Sequence, residues 1–174
     1  MKTVKRLSHV DARGAARMVD VAEKPETART ATASAAVKMQ PQTLRLVERA
    51  AGARGKGDVL AVARLAGIMA ARRTAELIPL CHPIRLTSCE VDLDVDRALP
   101  GVRIRATARA IDRTGVEMEA MVAAASAALT VYDMVKGAER AVEIRAVRLE
   151  EKAGGRTGHW RRQMKPIARG RASK

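Results

Sequence analysis

Aromatic side chains are almost absent from this sequence of 174 residues, which has no Phe, one Trp and one Tyr. Proteins that bind single-stranded nucleic acid without sequence preference stack bases on aromatic rings, so this composition disfavours that class. The two cysteines, Cys81 and Cys89, follow no signal-like N-terminus and fit a reducing cytoplasm better than a disulfide scaffold. The longest uncharged run, residues 120–132, is shorter than the ~20 residues that a membrane span needs. We therefore expect a soluble cytoplasmic protein.

Short motifs that would identify a catalytic or cofactor site are also missing. The sequence has no GxSxG, HExxH or GxGxxG segment, and the glycine-rich stretch GARGKG lacks the glycine order and trailing Ser or Thr of a Walker motif. His9, His82 and His159 are scattered along the chain. Cys81 and His82 are adjacent, which is poor geometry for chelating one metal ion. We therefore predict no metal site.

Positive charge is what the sequence has in excess, because 33 Lys or Arg outnumber 19 Asp or Glu and give a formal net charge of +14. Such an excess points to an acidic partner, which could be nucleic acid, anionic lipid or a phosphorylated small molecule. Much of it lies in residues 152–174, where there is no acidic residue. We assign that charge to a C-terminal tail.

Hydrophobic periodicity predicts the order strand, helix, strand, strand, helix, strand. Residues 28–39 favour an extended segment, Pro41 suits the start of a short helix to about residue 51, and Asp58 is a good N-cap for a helix that Pro79 ends. This order is typical of the ferredoxin-like α+β fold, an antiparallel sheet with helices on one face. The apolar stripe of the helix after Asp58 comprises Val59, Val62, Leu65, Ile68 and Met69.

The second and third strands form a predicted hairpin with an apolar face and a charged face. Val91, Leu93 and Val95 alternate with acids before a turn at residues 99–101, and arginines alternate with apolar residues after it. We predict that residue i pairs with residue 199 − i, so that acids lie opposite arginines. The predicted pairs are Asp96 with Arg103, Asp94 with Arg105, and Glu90 with Arg109.

The second helix, within residues 115–140, is predicted to lie in the interior because its centre is uncharged and rich in Ala. Glu117 and Glu119 occupy its first turn, where negative charge suits the helix dipole. Asp133 and Lys136 lie three residues apart near its end, on one face. They could act as a base and an acid, or be an ion pair at a solvated helix end.

Other candidate polar residues lie where the chain reverses. Lys24 and Arg29 lie near Pro25 on a predicted loop, and Lys56 lies in the glycine-rich stretch. Cys81 and His82 lie between prolines in IPLCHPI, which we predict to be a stiff extended loop. His82 alone is equally consistent with a packed loop residue.

Five ordered segments, MVDVAEKPETAR, KGDVLAVARLAGIMAARRTAELIPLCHPI, TGVEMEA, ALTVYDMVKGAER and RLEEKAGGRTGHW, together resemble the MoaC family, the cyclic pyranopterin monophosphate synthases of molybdenum-cofactor biosynthesis. The resemblance runs roughly from His9 to Trp160. It implies one catalytic domain, residues 1–160, followed by a basic tail, residues 161–174. It also implies a lyase that converts 3′,8-cyclo-7,8-dihydro-GTP, the product of a radical SAM cyclase, to cyclic pyranopterin monophosphate with release of diphosphate.

By this resemblance Asp133 and Lys136 are the catalytic residues. A triphosphate substrate commonly carries Mg²⁺, so a magnesium ion bound with it is compatible with the resemblance. The chain departs from the usual family pattern at Val135, Gly137 and Ala75. The substrate-binding residues implied are Leu80, Cys81, His82, Met118 and Glu119, with Glu117, Lys56, Arg29 and Lys24 as further pocket residues.

The resemblance also implies a homohexamer built of dimers, with transient contact to the radical SAM cyclase. An unbroken helix would hold Glu117 and Asp133 ~24 Å apart, so we predict that two subunits share each site, with helices crossing at the small residues 123–128. Two alternatives remain open at this stage. One is a basic RNA-binding or ribosome-associated protein, and the other is a non-catalytic accessory that presents substrate.

Overall fold

The computed structural model describes residues 7–51 and 58–163. Its strands are β1 Thr27–Lys38, β2 Leu86–Asp96, β3 Gly101–Asp112, β4 Glu143–Ala153 and β5 Trp160–Arg161. Its helices are α1 Pro41–Ala50, α2 Val59–Ala71, α3 Thr74–Leu77 and α4 Glu117–Val135. The strands form one antiparallel sheet in the order β2-β3-β1-β4-β5. The predicted α+β fold is therefore confirmed.

The core lies between the sheet and the two longest helices. Alternate residues of β1 and β3, such as Ala33, Val37 and Ile104, are buried beneath α4. Helix α2 packs alongside α4 at a close distance, because a Cβ added at Gly67 would lie only 2.9 Å from the Ala123 carbonyl oxygen. Small residues therefore set the spacing between the helices, as the Ala-rich sequence of α4 predicts.

The helix predicted after Asp58 is confirmed, with Asp58 as its N-cap, but its larger apolar residues do not form its buried face. The buried residues of this helix are Val59, Ala63, Gly67 and Ala71, whereas most of the larger predicted side chains lie on the outside. The reason is the close contact with α4, which only small side chains permit. The helix also ends earlier than predicted, at Ala71, and a short helix α3 follows. The exposed large residues of the stripe are Val62, Leu65 and Met69.

The predicted hairpin of β2 and β3 is confirmed, but its register is wrong by two residues. Asp94 lies opposite Arg103, and Asp96 lies opposite Gly101. The turn begins earlier than predicted and comprises residues 97–100, because the Asp96 carboxylate accepts hydrogen bonds from the backbone N–H groups of Ala98 and Leu99. A shift of two residues keeps every side chain on its predicted face. Two of the three predicted ion pairs therefore survive as diagonal contacts, Arg103 with Asp96 and Arg109 with Glu90.

Two other local predictions need correction. Arg29 lies within β1 and not on a loop, because the strand already begins at Thr27. The loop around Cys81 is not extended throughout, since Leu80 has a φ of 64° and the Cys81 N–H donates to the Ile78 carbonyl. A positive φ is uncommon for a residue with a side chain. The chain therefore turns sharply just before Cys81 and His82.

Helix α4 is long and apolar enough, by length and composition alone, to cross a membrane. Half of that stretch is buried inside the protein, however, where it contacts α2 and the sheet. The central helix of a globular core has the same properties. The interior position predicted for this helix is confirmed.

Candidate active site

Two clefts meet at the beginning of α4. The first, which we call the loop cleft, has a volume of about 510 Å³. It lies between the turn at Leu80 and the residues that lead into α4, and His9 closes one side. Four predicted binding residues, Leu80, Cys81, His82 and Met118, line it together.

Glu119 lies against the loop cleft from inside the protein, with only 2% of its surface exposed. The Cys81 thiol approaches its Oε1 at 4.0 Å, and its Oε2 has no hydrogen-bond partner among the described residues. Burial, together with the smaller effects of the nearby charges of Glu117 and Asp112, raises the pKa of Glu119 to about 7. Burial and Glu119 likewise raise the pKa of the Cys81 thiol. A buried carboxyl with one free oxygen is suited to bind a ligand that donates hydrogen bonds.

The second cleft, which we call the cationic cleft, has a volume of about 190 Å³. It lies between the N-terminal segment, the start of β1 and the turn after β4. Among its described lining residues, Glu117 is the only carboxylate, and five are cations: Lys24, Arg29, Arg113, Lys152 and Arg156. This excess of positive charge suits a phosphate group, because charge-assisted hydrogen bonds to phosphate are strong.

Arg29 holds the walls of the cationic cleft together. Its Nε and Nη2 donate to the carbonyl oxygens of Asp112 and Arg113, each at 3.1 Å. Its remaining nitrogen, Nη1, packs against Gly155. A Cβ added at Gly155 would lie only 1.5 Å from this nitrogen. Gly155 also has a φ of +70°, which favours glycine. The turn after β4 therefore closes onto the arginine.

The two clefts share Thr114, Gly115 and Glu117. Glu117 Oε1 accepts a hydrogen bond from Lys152 Nζ at 2.9 Å, and Lys152 also donates to the Thr157 hydroxyl at 3.0 Å. The structure therefore brings eight of the eleven predicted site residues to one continuous cavity. This number includes Glu119, which lies in the wall of the cavity. These eight are Lys24, Arg29, Leu80, Cys81, His82, Glu117, Met118 and Glu119.

We did not predict Lys152 as a site residue, because we counted this lysine with the basic C-terminal tail. Lys152 belongs to β4, which continues to Ala153. The alternation of apolar and charged residues in the sequence does not extend that far along the strand. That alternation is broken because Ala146 adopts a φ of 53° and the ladder with β1 shifts register nearby. The paired glycines that follow Ala153 were the signal that the strand continues to a turn.

Asp133 and Lys136 lie at the other end of α4, outside both clefts. Lys136 Nζ donates to Asp133 Oδ1 at 2.5 Å, with 57% and 69% of the two side chains exposed. Their predicted position on one face is confirmed. The hydrogen bond to Asp133 raises the pKa of Lys136, which is the opposite of the shift toward neutrality that an acid catalyst needs. One chain alone therefore does not bring these two predicted residues to the clefts.

Lys56, the remaining predicted residue, lies outside the described residues. Within residues 7–51 and 58–163, no three His, Cys, Asp or Glu side chains are grouped to hold a metal ion.

The fold and these clefts define an α+β protein with a cationic cleft beside a buried carboxyl group, a combination that suits an anionic small molecule. A family model described as "MoaC family" matches residues 18–155. The chain therefore belongs to the MoaC family.

Curated relatives are similar over nearly their full length. A protein of Thermomicrobium roseum is 59% identical over 157 residues, which cover 90% of this chain and 93% of the relative. A Methylobacterium protein is 57% identical over 154 residues, covering 88% and 95%. A Brucella ovis protein is 54% identical over 155 residues, covering 89% and 93%. Each of these relatives is named cyclic pyranopterin monophosphate synthase.

Proposed function

We propose that this protein is a cytoplasmic lyase that converts 3′,8-cyclo-7,8-dihydro-GTP to cyclic pyranopterin monophosphate and releases diphosphate in molybdenum-cofactor biosynthesis. The observation that carries the proposal is the junction of the two clefts at Gly115 and Glu117. The substrate has a guanine-derived ring at one end and a triphosphate at the other. The cavity has a buried carboxyl group at one end, which suits the ring, and clustered cations at the other, which suit the triphosphate.

The ring end of the substrate occupies the loop cleft in this proposal. A guanine-derived ring presents an amino group and a ring N–H side by side, and a carboxylate can accept both hydrogen bonds. Glu119, with its unpaired Oε2, is the group suited to that edge. Leu80, Cys81, His82 and Met118 then form the walls against the ring.

The phosphate end occupies the cationic cleft. Lys24 and Arg156 have no side-chain partner among the described residues, and they line this cleft with Arg29 and Lys152. A triphosphate would neutralise charges that otherwise repel one another. By family resemblance, Lys56 adds a further cation.

We propose that Asp133 is the base and Lys136 the acid of the rearrangement, and that a second subunit supplies them. Helix α4 runs unbroken for 19 residues, which separates Glu117 from Asp133 by ~24 Å along its axis. Antiparallel α4 helices about a two-fold axis would place Asp133 of one chain beside the clefts of the other. Covering Lys136 in this way would remove water from its ammonium group and lower its pKa.

The subunit contact we propose is the outer surface of α2 and α4, which we call the helical face. The crossing predicted at residues 123–128 is wrong in detail, because Ala123, Ala124, Ala127 and Ala128 are already buried within one chain. Exposed aliphatic side chains that lie together commonly mark an interface. On the helical face these are Val62, Leu65, Met69 and Leu129. The assembly consistent with the family is a hexamer built of dimers.

The direct test is to incubate the purified protein with 3′,8-cyclo-7,8-dihydro-GTP alone and to measure diphosphate. We expect stoichiometric release by the wild-type protein. Asp133→Asn and Lys136→Ala should lose at least 10²-fold in rate with unchanged circular dichroism, because both side chains lie outside the core of the single chain. No diphosphate from the wild-type protein would support the accessory alternative and overturn the proposal.

A further inference from the structure

A third cleft, which we call the arginine cleft, lies between the end of α2 and the beginning of β2. Its volume is about 320 Å³. It is separate from the cationic cleft, with which it shares no lining residue, but Ile84 borders both it and the loop cleft. It is lined by Ile68, Arg72, Ile84, Arg85, Leu86, Ser88 and Cys89.

Every charged group that lines the arginine cleft is a cation. No carboxylate is among the lining residues, and neither Arg72 nor Arg85 has a hydrogen bond or an ion pair to another described residue. Two arginines on the neighbouring β3, Arg103 and Arg109, are by contrast each paired with an acid. Two unpaired guanidinium groups beside one small cleft repel each other. A bound anion would remove that repulsion.

Helix electrostatics explain only part of this arrangement. Arg72 is the C-cap of α2, where a cation is stabilised by the helix dipole. Arg85 lies beyond α3, in the segment that leads into β2, and is not part of that helix end. Capping of α2 therefore accounts for the position of Arg72 only, although both arginines line the same cleft.

The uncharged polar groups of the cleft are also hydrogen-bond donors. Ser88 Oγ accepts a bond from Arg109 Nη1 at 3.3 Å, which leaves its own proton free to be donated. Burial raises the pKa of the Cys89 thiol, so this group remains S–H and is a weak donor. Ile68, Ile84 and Leu86 form apolar walls that reduce competition from water. A site whose charged groups are all donors favours a ligand that is rich in acceptors.

We propose that the arginine cleft is a second anion-binding site for a phosphate or condensed-phosphate oxyanion, held by Arg72, Arg85 and Ser88. Guanidinium groups bind such oxyanions through paired N–H donors. Arg85 follows His82 by three residues, and Ile84 is shared with the loop cleft, so an anion here would also order the loop that carries Cys81 and His82. The inference does not depend on the proposed reaction.

Titration calorimetry of the assembled protein with inorganic diphosphate tests this proposal. We expect the wild-type chain to bind diphosphate at the arginine cleft, and Arg85→Gln and Arg72→Gln each to weaken that binding at least tenfold. The matched control is Arg45→Gln, which removes an exposed, unpaired arginine from α1. Binding unchanged in both cleft variants, or weakened equally by the control, would overturn the proposal.

A further variant separates this result from the proposed function. Lys152→Gln removes a cation of the cationic cleft and leaves the arginine cleft intact. If two diphosphates bind per wild-type chain, Arg85→Gln should lose one and Lys152→Gln the other. Loss only in Lys152→Gln would overturn the second site, whereas loss only in Arg85→Gln would support it and count against phosphate binding by the cationic cleft.

Discussion

At the scale of single residues, Glu119 has an environment that couples binding to pH. It is buried with one unpaired oxygen, and its pKa is raised to about 7. The proposed hydrogen bonds from the substrate ring require the ionised carboxylate. The affinity for substrate should therefore increase as the pH rises through 7.

The same raised pKa makes a prediction about stability. Because the folded protein retains this proton up to about pH 7 while the unfolded chain releases it near pH 4.5, Glu119 should progressively destabilise the fold as the pH rises between these values. The effect is at most about 3 kcal/mol. Glu119→Gln should therefore raise the melting temperature at pH 8 relative to wild type, and the gain should shrink toward pH 5. A gain that is largest at pH 5 would contradict this environment for Glu119.

Gly115 allows Glu117 to fold back toward Lys152. A Cβ at position 115 would lie 1.9 Å from Glu117 Oε2, so Gly115→Ala should displace this flexible carboxylate and disturb the junction of the clefts. We expect an increase in KM of about tenfold with little loss of stability, since only a side-chain end must move. The control is Gly137→Ala, where an added Cβ meets nothing within 4 Å. An equal KM for wild type and Gly115→Ala would show that the junction does not bind substrate.

At the scale of secondary-structure elements, the helical face is the surface we assign to the subunit contact. Leu65 and Leu129 are 58% and 59% exposed in one chain. Leu65→Glu or Leu129→Glu should convert the assembly to smaller species in light scattering, with unchanged circular dichroism. Leu46→Glu is the control, because Leu46 is 50% exposed but lies on α1. Intact assemblies in both α2 and α4 variants would exclude this face as the contact.

Helix and strand periodicity predicted most elements but not the details that depend on packing. The apolar alternation of β2 and β3 was sufficient to place their faces, whereas the register depended on how the Asp96 carboxylate closes the turn. The inward face of α2 could not be predicted from hydrophobicity, because the neighbouring α4 accepts only small side chains there. The end of β4 was obscured by its irregular residue Ala146.

The candidate site was predictable to a similar extent. Family resemblance indicated Leu80, Cys81, His82, Met118 and Glu119, and the structure gathers them at one cleft. The resemblance did not indicate Lys152, which lines the cationic cleft and forms an ion pair with Glu117. The raised pKa of Glu119 also required the structure, because it results from burial that no local sequence pattern specifies.

At the scale of the whole molecule, the proposed active site requires two copies of the chain. The clefts lie at the N-terminal end of α4, and Asp133 with Lys136 lies at its C-terminal end. If the two ends act together only between subunits, then a chain that is defective in the clefts and a chain that is defective at Asp133 can complement each other. Each hybrid dimer would contain one intact site and one doubly defective site.

The most direct measurement is therefore diphosphate release by mixed assemblies of Glu119→Ala and Asp133→Asn chains. We expect each variant to be inactive alone, and differently tagged chains allow hybrids to be purified after subunit exchange. We expect an equimolar mixture after full subunit exchange to recover about one quarter of the wild-type activity, because random pairing makes half of the dimers hybrid and each hybrid has one intact site of two. Purified hybrids that contain both chains and still release no diphosphate would contradict a site shared between subunits.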